Sequence, residues 1–117
     1  MRSEQAENLS LHVERTDRAA IVHIRGSAGM NEAESLRETL EQVAGWKPEV
    51  IVLDLRQMDF ICSTGLSAVL DGHLRCRHHH GRILLVNPQP AVRQLLETTR
   101  LTKLFPICAS VEEAVKA

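Results

Sequence analysis

Tyrosine is missing from this chain, and one tryptophan and two phenylalanines are its whole aromatic complement, 3% of the residues. Stacking platforms for single-stranded nucleic acid are therefore excluded as the main business of the surface. Charge of either sign is not in excess: the formal net charge is −1, which gives no pull toward nucleic acid or an anionic membrane. No apolar run approaches the ~20 residues needed to span a bilayer. The segment Met1-Arg2-Ser3-Glu4-Gln5-Ala6-Glu7 has no apolar stretch of the signal-peptide kind and is expected to be a disordered, frayed end. The three cysteines, Cys62, Cys76 and Cys108, are odd in number, widely spaced and without a C-x-x-C pair. A disulfide framework and a cysteine zinc site are both disfavoured, and a reducing cytoplasm fits. What is present is ordinary: 44% apolar and 25% charged residues over 117 positions, enough for one domain with one core, placed at residues 8–117.

The chain punctuates itself. Leu9, Leu11 and Val13 alternate with Ser10, His12 and Glu14, the period of a half-buried strand. Thr16-Asp17-Arg18 reads as a turn, and Ala20-Ile21-Val22-His23-Ile24 returns as a second, antiparallel strand. Gly26-Ser27-Ala28-Gly29 is expected to break it, with Asn31 capping the helix that follows. Ala33, Leu36, Leu40 and Val43 make an amphipathic stripe that Gly45 ends. Val50 to Leu55 is nearly continuous apolar sequence, as in a strand covered on both faces, with Asp54 expected as a buried, satisfied carboxylate. A helix from Leu66 to Arg77 carries Leu66, Val69, Leu70, His73 and Leu74, and Gly81 stops it. Ile83 to Val86 is a further buried strand. A short helix bearing Val92, Leu95 and Leu96, an edge strand within Leu104–Cys108 and a last helix capped by Ser110 complete the order ββαβαβαβα. Helices alternating with strands imply an α/β fold, a mostly parallel sheet of about five strands with about four helices.

The stretch Asp59-Phe60-Ile61-Cys62-Ser63-Thr64-Gly65-Leu66 stands where strand gives way to helix, a common place for function in such folds. Two adjacent hydroxyls there have two roles open to them. One of them could cap the helix, worth about 1 kcal/mol. Alternatively a hydroxyl could carry a phosphate, since free N–H groups and the positive end of the helix dipole favour an anion at that point.

The pattern Val52-Leu53-Asp54-Leu55-x-x-Met58-x-Phe60-Ile61-x-Ser63-Thr64-Gly65-Leu66, with Gly81-Arg82-x-Leu84-Leu85-Val86-Asn87-Pro88 and Val92-x-x-Leu95-Leu96-x-x-Thr99-x-Leu101, resembles the STAS domain, specifically the anti-sigma factor antagonists. The resemblance covers roughly residues 8 to 116. It implies a STAS-type single domain and a protein–protein switch rather than an enzyme, with no catalytic residue, metal or cofactor of its own. In that family the antagonist docks on an anti-sigma factor that is also a serine kinase, and docking frees the sigma factor. Phosphorylation of a loop hydroxyl ends docking, and a PP2C-type phosphatase resets the switch. Carried over by position, the phosphorylated hydroxyls are Ser63 and Thr64, either of them, and the partner-binding surface is Phe60, Cys62, Ser63, Thr64, Gly65 and Ser67. Cys62 and Gly29 stand where the family pattern has acidic residues.

Other candidates remain. Cys62 could be a redox-responsive thiol or a small, partly buried side chain. His78-His79-His80 resembles a metal tract, but successive residues at a helix end diverge, and with Arg75, Arg77 and Arg82 they read as a solvated basic turn that complements the dipole. His12, His23 and His73 read as sheet or packing residues, and Asp54 and Asp59 do not form an acid/base pair. Two other uses of the same fold are a STAS subunit of a lipid-transport ABC complex, docking without phosphorylation, and a sensory STAS module.

Overall fold

The alternation of Leu9, Leu11 and Val13 decides which side of the sheet carries the core. In the computed structural model, which describes residues 2–6 and 8–117, this stretch is strand β2 (Leu9–Arg15), with those three residues buried and Ser10, His12 and Glu14 on the opposite face. Strand β3 (Ala19–Ala28) returns antiparallel to it, with His12 opposite His23 and Leu9 opposite Gly26. The segment expected to fray contributes an outer strand, β1 (Arg2–Ala6), antiparallel to β2; residues 1 and 7 lie outside the described residues. Then follow α1 (Ala33–Gly45), β4 (Val50–Ile61), α2 (Ser63–Arg77), β5 (Arg82–Val86), α3 (Pro90–Thr98), a 3-10 turn (Leu101–Lys103), β6 (Ile107–Cys108) and α4 (Val111–Lys116).

The sheet runs β1-β2-β3-β4-β5-β6, antiparallel through β3 and parallel beyond it. From β2 onward this is the α/β order expected from the sequence, and β1 makes the sheet six-stranded.

Two cores result, of unequal size. On one face Val22, Ile24, Leu53 and Leu85 pack against Leu36, Leu40 and Val43 of α1, Leu66 and Val69 of α2, and Val92 and Leu96 of α3. Leu36 and Leu40 are almost wholly removed from water, and burial of that kind is worth about 2 kcal/mol per leucine. On the other face α4 is the one helix among the described residues. It covers Ala19, Ile21, Val50, Val52, Leu84 and Val86 with Val111, Ala114 and Val115. Ser110 caps this short helix by accepting the Glu113 N–H at 3.1 Å. The middle of β2, β3 and β4 on that face is left open, and the residues there are polar.

Several local expectations change. Gly26 does not end its strand: with φ +99° it sits inside β3, where Ser27 N–H donates to Asn8 O at 2.9 Å. Strand β4 runs six residues past Leu55 because it bulges twice against β3, with register shifts between His23 and Arg25 and between Gly26 and Ser27. Helix α1 has Glu32, not Asn31, at its N-cap. In α2 the inward face holds Ala68, Gly72 and Cys76 together with Leu66 and Val69, whereas Leu74 is 54% exposed. The small residues win that face because α1 comes close: a Cβ on Gly72 would lie 3.6 Å from the Leu40 Cβ.

Candidate functional site

The two β4 bulges carry the chain to the end of the sheet with its outward residues ungrouped from the core. Arg56, Gln57, Asp59 and Phe60 are exposed, while Met58 and Ile61 stay buried. Ser27 Oγ donates to Asp59 Oδ1, tying the ends of β3 and β4 together on the outer face. At Cys62 the backbone is still extended, and its N–H donates to Ala28 O at 2.9 Å. Helix α2 then begins at Ser63.

Cys62 is therefore the N-cap, and neither hydroxyl has that role; the Cys62 side chain makes no capping hydrogen bond. Its carbonyl accepts the Leu66 N–H at 2.9 Å, so the N–H groups of the residues between are left at the helix mouth. Ser63 is exposed and its hydroxyl has no hydrogen bond among the described residues. Thr64 is half-buried and its Oγ1 donates to Met30 Sδ at 3.3 Å. Ser67, one turn on, is exposed. The two hydroxyls that the sequence leaves equivalent are thus different groups.

Gly65 is where the helix touches the sheet. A Cβ built there would lie 2.8 Å from Ile61 Cγ1 and 3.5 Å from Ala28 O. Ile61 is β-branched and buried, so it has little room to move. Gly65→Ala is expected to cost about 1–3 kcal/mol by overpacking, read as a lower midpoint in urea unfolding, and to displace the start of α2. Unchanged stability would show that this contact is loose.

Two large apolar residues from the ends of this part of the sheet are exposed. Met30 is 71% exposed and Phe60 51% exposed, and Phe60 lines a shallow groove of about 270 Å³ with Asp59, Ile61, Ala91, Val92 and Leu95. The sequence marks Phe60 as a site residue and Leu95 only as part of a helix stripe, while Met30 and Ala91 come from other segments and carry no local signal. Gly29, where a carboxylate was expected by family pattern, is answered from the next turn. Glu32 is 4% exposed, its Oε1 accepts the Gly29 N–H at 3.1 Å, and a Cβ on Gly29 would lie 3.0 Å from that oxygen. A carboxylate thus occupies the space a side chain at 29 would fill.

The remaining candidates fall where the sequence puts them or are inert. Asp54 is buried and held by Arg56 and His23, and Asp59 is held by Ser27, so the two acids do not meet. His73 packs edge-on against Phe105 at 5.3 Å. In the His78–His80 turn the His79 ring is held by the backbone, its Nε2 lying 3.1 Å from Pro48 O. No cluster of three metal-binding side chains exists among the described residues. Burial pushes the Cys76 thiol up to about 11, and burial with Glu113 nearby raises that of Cys108. Neither is a ready nucleophile. No helix of the described residues is long and apolar enough to cross a membrane.

Fold and site together define a small α/β domain whose sheet is open on one side and whose second helix starts on an exposed, hydroxyl-bearing turn. Residues 10–114 match the STAS domain model, and the chain belongs to the STAS domain family. It is 29% identical over 109 residues to BtrV of Bordetella bronchiseptica, named for an anti-sigma factor antagonist role, across 93% of this chain and 94% of that one. Among solved structures, an anti-sigma factor antagonist from Mycobacterium paratuberculosis superposes with a TM-score of 0.83 at 26% identity, over 92% of each chain. The Bacillus cell fate determinant SpoIIAA in its phosphorylated form shares the fold, with a TM-score of 0.72 at 21% identity over 91% of this chain and 96% of that one.

Proposed function

We propose that this protein is an anti-sigma factor antagonist that docks on a kinase-type anti-sigma factor through Cys62–Gly65, Ser67 and Phe60, and that phosphorylation of Ser63 ends the docking. The observation that carries the choice of residue is the contrast between the hydroxyls: Ser63 is exposed and unbonded, while Thr64 is half-buried against Met30. A kinase must reach its acceptor hydroxyl, and Ser63 is the more exposed of the two and has no hydrogen bond to break among the described residues.

A phosphate on Ser63 adds about −1.5 to −2 charges and three acceptor oxygens. Within this protein it meets the free N–H groups and positive dipole end of a 15-residue helix that has no acidic residue in its first turn. The domain therefore tolerates it without refolding. Across an interface the same charge must be stripped of water at a surface with exposed apolar side chains. The switch thus acts on binding, not on fold. The bond-making belongs to the kinase and the bond-breaking to a PP2C-type phosphatase, and the cycle runs in the cytoplasm, where sigma factors work.

Titrating the unmodified protein into a cognate serine-kinase anti-sigma factor, followed by calorimetry, tests the docking. A saturable one-to-one complex that is lost on Phe60→Asp supports it. Absence of a complex, or one indifferent to Phe60→Asp, refutes it.

A further inference from the structure

The open face of the sheet holds a shallow polar concavity of about 590 Å³ lined by Ser10, His12, His23, Arg25, Asp54 and Arg56, on the side of β2–β4 that α4 leaves bare. Several of its polar groups are already bonded to one another. Arg56 holds Asp54 with two side-chain bonds, Nε to Oδ1 and Nη2 to Oδ2, each 2.8 Å, and Arg25 Nε donates to Gln57 Oε1 at 2.8 Å. At the centre is His23. Its Nδ1 lies 2.7 Å from Asp54 Oδ2 and its Nε2 lies 2.9 Å from Glu14 Oε2.

An ionised carboxylate can only accept, so both contacts are hydrogen bonds only if both ring nitrogens carry a proton. A neutral imidazole has one N–H, and one of the two contacts would set a lone pair against a carboxylate oxygen. The geometry points to His23 as a pH-sensitive clasp: as the imidazolium it fastens β2 to β4 across β3, and on losing its proton it releases one of the two. The clasp sits at a structural boundary. His23 and Asp54 are directly paired, and between them and the next pair, Arg25 and Gln57, strand β4 slips out of register. Beyond that slip β4 leads to the docking loop, although the clasp itself does not depend on what docks there.

The groups facing His23 are His12 and Glu14 from β2, Asp54 and Arg56 from β4, and Arg25 along its own strand; His12 stacks on it at 6.0 Å between centroids. Burial favours the neutral ring, but the hydrogen bonds and charges of Glu14 and Asp54 outweigh it and raise the His23 pKa above its ordinary 6.5. Asp54 is opposed by burial in the same way, yet Arg56 and His23 hold it down at about 2. The signs follow by linkage. A raised histidine stabilises the fold fully below 6.5 and loses that contribution as pH climbs through the folded-state value. A depressed carboxyl contributes above 3.8 and loses its contribution as pH falls toward about 2. The clasp is closed between those limits and opens on the alkaline side.

The test is an NMR titration of the histidine rings from about pH 5 to about pH 9, with thermal unfolding followed over the same range. His23→Gln identifies the His23 resonance, and Glu14→Gln removes the negative charge from a half-exposed position while leaving an amide oxygen that can still accept. A His23 midpoint above 6.5 that falls in Glu14→Gln is expected, together with a loss of thermal stability on raising pH that is steeper in wild type than in His23→Gln. A midpoint at or below 6.5, a midpoint unmoved by Glu14→Gln, or parallel pH profiles in wild type and His23→Gln would overturn the clasp. Should His23→Gln not fold, the wild-type ring showing the largest Glu14→Gln shift is followed instead, and no ring shifting at all is again a refutation.

Discussion

A Ser63→Glu variant is expected to fold at least as stably as wild type and yet to bind the anti-sigma factor at least tenfold more weakly, a loss of ~1.4 kcal/mol or more. The two effects have one cause. Ser63 is the first residue of α2, its side chain is exposed, and the first turn carries no other acid. A carboxylate there meets the positive end of the helix dipole and gains about 0.3–1 kcal/mol for the isolated domain. In the complex the same carboxylate must be stripped of water at a surface with exposed apolar side chains, a cost larger than the helix dipole returns. Thr64→Glu should behave differently. Thr64 is half-buried and bonded to Met30 Sδ, so a larger, charged side chain disturbs the loop itself and lowers stability as well as binding. Parallel urea unfolding and calorimetry on the two variants separate the cases. If Ser63→Glu bound as tightly as wild type, Ser63 would not lie in the interface.

The largest effect on stability is expected at Gly26. It has φ +99°, a conformation that side chains rarely adopt, and a Cβ there would come within 2.2 Å of Asn8 O and 3.3 Å of Asn8 C. Those atoms are backbone and are fixed: Asn8 O accepts from Ser27, and Leu9 is paired with Gly26 across the hairpin. Gly26→Ala therefore meets both backbone strain and a steric clash, each worth about 1–3 kcal/mol, and ~3 kcal/mol or more in sum. Against a typical domain stability of ~5–15 kcal/mol that is a severe loss. Gly45→Ala is the control, because nothing lies within 4 Å of a Cβ at Gly45 near the end of α1. Urea unfolding should show a large drop in midpoint for the first and little change for the second. Equal, small changes would mean that β2 and β3 can separate at this point without cost.

The parts of the fold legible in the sequence are those where side-chain period and burial coincide. Strand β2 alternates cleanly because one of its faces is open, and α1 shows its stripe because it lies flat on the sheet. The second half of β4 was illegible for a physical reason: two bulges break the alternation, so Arg56 and Gln57 are exposed in succession, as are Asp59 and Phe60. Strand β1 carries the polar sequence Arg2-Ser3-Glu4-Gln5-Ala6 at the edge of the sheet, where pairing with β2 requires no apolar signal. At the site, the hydroxyl pair and the glycine were visible as a motif, but their division of roles was not. Which hydroxyl faces water depends on the helix beginning one residue earlier than a Ser63 cap implies and two earlier than a Thr64 cap implies, and on Met30 arriving from 34 positions away. The His23 clasp was wholly hidden, since Glu14, His23 and Asp54 lie on three strands and meet only through the sheet register.

The proposed switch rests on transfer of a phosphate to Ser63 at the start of α2. Incubating the protein with a cognate anti-sigma factor kinase and ATP, then measuring intact mass and mapping the modified residue, tests it directly. Wild type and Thr64→Val are expected to gain the mass of a single phosphate, and Ser63→Ala none. A phosphate on Thr64, or an unmodified wild type that still binds the kinase, would contradict it.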